Sequence, residues 1–202
     1  MPPDTTTRQG FGEPARERLP MPDAASMSAA QREAADALIA GPRKGVYGPF
    51  LPLMRSPVLL DRVARVGEYL RFDSVLHGRI RELVICATSR HVSNQFEWLM
   101  HAPLAVKEGV AQATIDALHA GARPRQLPAD EETALDFTRE LLQTHGTSEL
   151  TYAAALQQFG EQGVVELSTL IGYFVMISWL MNVAHTPPQA SAQGRPLHAF
   201  PL

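Results

Sequence analysis

The sequence predicts an all-α protein, a bundle of about seven or eight helices, on three observations. Apolar residues recur at helical spacing, as in Ile80, Leu83, Val84 and Ala87. Helix-starting and helix-stopping residues bracket the periodic segments, from Ser28 and Ser56-Pro57 to Gly41, Gly109, Gly121 and Gly146. No run alternates apolar and polar residues for long enough to make a strand.

Each element follows from local signals. Residues 1–27 are rich in Pro, Thr, Asp and Arg without periodicity and read as an extended arm. Ser28-Ala29-Ala30-Gln31 has the form of a capping box and opens a helix to Ala40, which Gly41-Pro42 stops. The stretch GPRKGVYGPFLPLMRSP, residues 41–57, holds three Gly and four Pro, which excludes regular helix. It is nonetheless apolar, so Tyr47 and Phe50 are candidate pocket-wall, substrate-binding residues. Pro57 at a first helical position starts a helix to about Arg71.

A third helix is expected from about Arg79 to His91, and a fourth from Asn94 to about Glu108, capped by Ser93 and disturbed by Pro103. Short and acidic-started helices follow over 112–120 and from Pro128 to about His145. Glu149–Phe159 and Glu161–Ala184 complete the set, with Gly160 at their junction. Residues 28–185 thus form one domain, and 186–202 a patternless tail.

Composition removes several functions. The 202 residues carry a formal net charge of −3 and no strong Lys/Arg cluster, so nucleic acid and anionic membranes are not expected partners. Cys86 is the only cysteine, which rules out an internal disulfide or a CxxC pair and fits a reducing cytoplasm. No signal-like apolar region follows Met1. Leu167–Ala184 is uncharged and near the shortest membrane-spanning length, but its Ser168, Thr169, Ser178 and Asn182 favour a core or interface helix. Glycines lack P-loop, dinucleotide-binding or G-x-S-x-G spacing.

The chemistry-bearing pattern is NQFEWLMHAPLA, residues 94–105. Asn94, Glu97 and His101 share one helical face, and the i, i+4 pair Glu97/His101 can touch. A tight turn to the preceding helix brings Glu82 alongside, a carboxylate set in the apolar ELVICA and therefore in need of a partner. His101 titrates near neutrality and is the candidate for proton transfer, with Glu82 and Glu97 orienting its ring. Asn94 either binds a substrate oxygen or caps the helix. Trp98 is a substrate-platform candidate whose alternative is core packing. Two acids and one imidazole can also hold a divalent ion, but the second Glu-x-x-His of di-iron bundles is missing, so no metal or other cofactor is expected. His91 suits a helix end, and His119, His145 and His198 read as surface or loop residues.

Residues 81–110, RELVICATSRHVSNQFEWLMHAPLAVKEGV, closely resemble the signature of the carboxymuconolactone decarboxylase family, whose all-α fold is shared with the alkylhydroperoxidase D proteins. The likeness lies in the REL start, in EW with a His three residues after the Trp, and in the final A and G; GPF and SP upstream are similar too. The peroxidase branch carries a Glu, a CxxC and a His along these helices. By that resemblance Glu82 and His101 take the Glu and His places, while Asn94 and Glu97 stand where the cysteines would be.

The resemblance implies an alkylhydroperoxidase D-like bundle and a homo-oligomer, trimer or hexamer. It also implies a lyase of the decarboxylase type acting on a small carboxylated or lactone-type acid. The alternatives are a reductase using Cys86 or an external thiol, and a non-catalytic small-molecule binding protein.

Overall fold

The computed structural model describes residues 16–189 and 194–197, and among them are eight α-helices, one π-helical turn and no strand. The helices are α1 (Ala29–Ala40), α2 (Phe50–Leu53), α3 (Pro57–Glu68), α4 (Gly78–His91), α5 (Gln95–Lys107), α6 (Gln112–His119), α7 (Ala129–Thr144) and α8 (Glu149–Ala184).

The capping box at Ser28 is complete: its hydroxyl accepts from the Gln31 N–H, and the Gln31 side chain accepts from the Ser28 N–H at 2.8 Å. Two expectations need correction here. Phe50–Leu53 forms one helical turn inside the Gly/Pro-rich stretch, because Pro52 lies in a first turn where its missing N–H has no partner to lose. The helix after Pro57 also ends earlier than Arg71, and Tyr69–Asp73 widens into the π-helical turn.

That turn is braced by α8. Glu166, buried, accepts from the Tyr69 hydroxyl at 2.6 Å, the Ser74 hydroxyl at 2.5 Å, the Val75 N–H at 2.8 Å and the Gln162 amide at 2.8 Å.

α4 is central. It packs on α5, α7 and α8, and both of its faces are buried. Ile80, Val84 and Ile85 join a core with α1, α2, α3, α7 and α8, whereas Leu83 and Cys86 join a second core with Trp98, Ile115 and Leu118. Arg79 ties the start of α4 to the acidic first turn of α7, pairing with Glu131 and, at 2.6 Å, with Asp130.

Within α8 the chain breaks helical geometry at Gly160, whose φ of 69° is left-handed, at the junction expected from the sequence. The apolar part of α8 is a core helix on one side, with Leu167, Leu170, Ile171, Phe174 and Ile177 buried. Val165, Met176, Trp179 and Val183 form an exposed apolar stripe on the other.

The described part of the N-terminal arm lies on the end of α8, where Arg18 donates its backbone N–H to the Ala184 carbonyl at 2.7 Å. The described tail residues dock on α5 and α6. Gln95 grips the main chain of Leu197 in both directions, donating at 3.0 Å and accepting at 2.9 Å. Leu197 is fully buried in the second core. His119 is accordingly not a surface residue: it is buried, with Nε2 at 2.7 Å from the Pro196 carbonyl. His198 lies outside the described residues.

Glu166→Ala removes the hydrogen bonds to Tyr69 in the π-helical turn and to Ser74 and Val75 just after it, and should destabilise the protein by about 2–3 kcal/mol in urea unfolding. A change within experimental error would show that the turn does not need this brace.

Candidate functional site

The α4–α5 turn sets the site. Ser93 takes a left-handed φ of 52°, and the chain reverses so that the Asn94 N–H reaches the Ser89 carbonyl at 2.9 Å. Asn94, and not Ser93, is the N-cap, because its side-chain oxygen accepts from the Glu97 N–H at 2.9 Å. Its amide group donates to the Ser178 carbonyl at 3.2 Å and to the Asn182 side chain at 3.0 Å. Both ends of this fully buried side chain are engaged in structure, which takes the capping side of the two roles expected for it. The cap fixes the first turn of α5 on α8, with Glu97 in that turn and His101 one turn further on.

There the structure brings together three of the expected residues. His101 Nδ1 lies 2.6 Å from Glu82 Oε2, across the α4–α5 contact, and its Nε2 lies 3.2 Å from Glu97 Oε2. Side-chain exposure is 4% at Glu97, 5% at His101 and 12% at Glu82, so solvent is nearest on the Glu82 side.

Burial alone would push the imidazole pKa down. The charges and hydrogen bonds of Glu82 and Glu97 outweigh it and raise His101 to about 9. Burial pushes Glu82 up, but the His101 charge and hydrogen bond, helped by Arg71 and Arg81, hold it below the usual carboxylate range. At neutral pH the Glu82–His101 pair is therefore carboxylate and imidazolium. Both ring nitrogens face acids, and among the described residues no group of three or more His, Cys, Asp or Glu is placed to hold a metal ion.

Phe174 closes one side, its ring edge-on to His101 with centroids 5.2 Å apart. Tyr173 packs on Phe174 at 5.4 Å. The guanidinium of Arg43 sits over the Phe50 ring, 4.6 Å from its centroid, and Tyr47 donates its hydroxyl to the Arg43 carbonyl at 3.0 Å. The two expected wall residues therefore both engage Arg43.

Trp98 is turned away into the second core, where its Nε1 donates to the Arg195 carbonyl at 2.9 Å and its ring meets His119. Core packing thus describes Trp98. Cys86 is fully buried beside it, and burial, reinforced by the Glu82 charge, raises its pKa well above the ordinary thiol value. Arg43, Arg71, Tyr173 and Phe174 were not anticipated. The two aromatics were hidden in an apolar run, and the arginines carried no periodic signal.

The site is nearly sealed: the three side chains are almost fully buried, and none of four surface cavities on the described residues is lined by Glu82, Glu97 or His101.

Residues 57–140 match the carboxymuconolactone decarboxylase family. The fold is similar to that of an uncharacterised peroxidase-related protein with an alkylhydroperoxidase AhpD core from Ralstonia eutropha JMP134, at TM-score 0.70 and 18% identity, covering 86% of this chain and 92% of that one. An uncharacterised peroxidase-related protein from Silicibacter sp. TM1040 aligns at TM-score 0.70 and 15% identity over 96% and 97% of the two chains. The debrominase Bmp8 with bound 2,3,4-tribromopyrrole aligns at TM-score 0.63 and 10% identity over 87% and 94%. The chain matches none of the curated proteins. At these identities the solved structures speak for the fold alone.

The electrostatics set a pH signature. A His pKa raised from 6.5 to about 9 contributes stability that is complete below pH 6.5 and lost as pH rises through 9. Glu82, held low, contributes stability present above its unfolded value of 4.5 and lost in acid. Unfolding free energy should therefore be greatest between about pH 5 and 6.5 and fall by roughly 3 kcal/mol towards pH 10. His101→Gln should abolish most of that alkaline slope in urea titrations. An unchanged slope would mean that His101 is not charged in the folded protein.

Proposed function

We propose that this chain, whose residues 57–140 match the carboxymuconolactone decarboxylase family, is a lyase of the decarboxylase type, acting on a small carboxylated or lactone-type acid by acid–base chemistry. The observation that carries this reading is the buried imidazolium held between two carboxylates, at 2.6 and 3.2 Å, where the redox branch would use thiols. The thiol alternative is poorly supported, since Cys86 is buried in the second core and held in its protonated form.

The two contacts of His101 are unequal, and their difference assigns roles. Glu82, at the shorter distance, fixes the ring and keeps Nδ1 protonated. Glu97, more loosely placed, leaves Nε2 as the atom that gives up a proton. In a decarboxylation the C–C bond to the carboxylate breaks and its electron pair moves into the conjugated carbonyl as carbon dioxide leaves. His101 Nε2 then protonates the resulting carbanion carbon and becomes neutral, and solvent restores its proton. Substrate reaches this group only if the Glu82 side opens.

That closure favours a second reading, a non-catalytic ion network that locks α4 to α5. The exposed Val165, Met176, Trp179 and Val183 stripe supports a homo-oligomer, trimer or hexamer, covered along α8.

His101→Gln should lower turnover of a lactone acid by at least about 10²-fold with the helical spectrum intact, and Cys86→Ser should leave it unchanged. Equal turnover for wild type and His101→Gln would leave only the ion-network reading. Trp179→Glu should reduce the mass measured by light scattering to that of a smaller assembly. An unaltered mass would remove the α8 stripe from the interface.

A further inference from the structure

Beside the acid–imidazole–acid group lies a second polar cluster that the mechanism above does not use. Arg43 enters from the loop after α1. One of its terminal nitrogens donates to the Ala64 carbonyl at 3.2 Å, and its guanidinium covers Phe50. Its Nε is buried without a hydrogen-bond partner. Arg71 comes from the π-helical turn, and its Nε is likewise buried and unpartnered.

Tyr173 stands beside Arg43. A Cβ on Gly67 would lie 2.1 Å from the Tyr173 hydroxyl and 2.9 Å from an Arg43 terminal nitrogen, so only a glycine leaves room for both. Arg71 is within electrostatic reach of Arg43, Tyr173 and Glu82, and Tyr173 is within reach of Glu97.

Two guanidinium groups of like charge are thus held in one neighbourhood, each with a buried N–H that lacks an acceptor. Such donors are costly unless something accepts from them. The charges point the same way. Arg71 and protonated His101 lie within electrostatic reach of Glu82, Glu97 adjoins His101, and Arg43 adjoins Arg71; with the flanking Arg81 and Glu68 cancelling, this cluster carries an excess of one positive charge. A single carboxylate supplies one negative charge and enough acceptor sites for both guanidiniums.

We propose that Arg43 and Arg71, with the Tyr173 hydroxyl, form the subsite that takes the carboxylate of the substrate and presents the rest of the molecule to His101. The inference rests on the acid–base reading for the second half of that sentence; the carboxylate subsite itself does not require it. Arg43 and Arg71 are half-buried, unlike the three groups of the acid–base site, so the subsite also marks the side from which substrate enters.

The test is calorimetric binding of succinate to the full chain, with dimethyl succinate as the neutral control and sulfate as the inorganic one. Succinate should bind saturably and the diester should not. Arg43→Gln and Arg71→Gln should each weaken succinate binding at least about tenfold, and Arg71→Lys should restore part of it, while thermal melts certify the fold. His101→Gln removes one positive charge without removing a carboxylate donor, so it should weaken succinate binding less than either Arg→Gln variant does.

Failure of wild type to bind succinate, equal binding by the arginine variants, or sulfate binding as tight as succinate would each overturn the carboxylate subsite. Loss of turnover in His101→Gln alongside unaffected arginine variants would leave the acid–base reading standing and sink only this proposal. The reverse pattern would sink the acid–base reading and leave the subsite.

Discussion

The ion pair between Glu82 and His101 joins two helices that the chain connects by a very short turn, and everything around it is arranged to keep it charged in a nearly dry place. An isolated charge buried to this degree would simply neutralise, because its hydration is lost. Here the imidazolium has an acid at each nitrogen, and the acids come from both helices, so α4 and α5 cannot slide without separating opposite charges. Breaking such a pair on one side typically costs about 3–5 kcal/mol. The apolar packing of α4 on both faces supplies the rest of the rigidity.

Much of this was legible in the chain, for identifiable reasons. The spacing of Asn94, Glu97 and His101 needs only helical geometry, and the short turn before Asn94 leaves α4 nowhere to go but alongside α5. Gly160 and the Ser28 capping box are equally local. What was not legible depends on distant contacts. The π-helical turn exists because Glu166, far along the chain, accepts hydrogen bonds from Tyr69, Ser74 and Val75. Arg43 sat in a stretch noticed for its aromatics, and Tyr173 in a run that reads as plain core. His119 was misjudged, and Trp98 left between two roles, because both are occupied by the C-terminal tail, whose docking no periodicity reveals.

The fold supports more than one chemistry, and the difference lies in a few positions on α5. Where the redox branch presents sulfur, this chain presents a capping amide and a second carboxylate. Its one thiol lies on α4 one turn after Glu82, in a core where a thiolate would be unfavourable. The electrostatics of this cluster therefore converge on the imidazole and not on a thiol.

The grip of Gln95 on Leu197 has a practical meaning. Neighbouring residues Asn94 and Gln95 clamp the same helical turn from two directions, one to α8 and the other to the far end of the polypeptide. The tail at Leu197 is thus mechanically wired to the helix that bears the imidazole. Clipping the tail before Leu197, or a tag that pulls on it, would tug on the helix carrying His101, so an N-terminal fusion is the safer choice for anyone handling the protein.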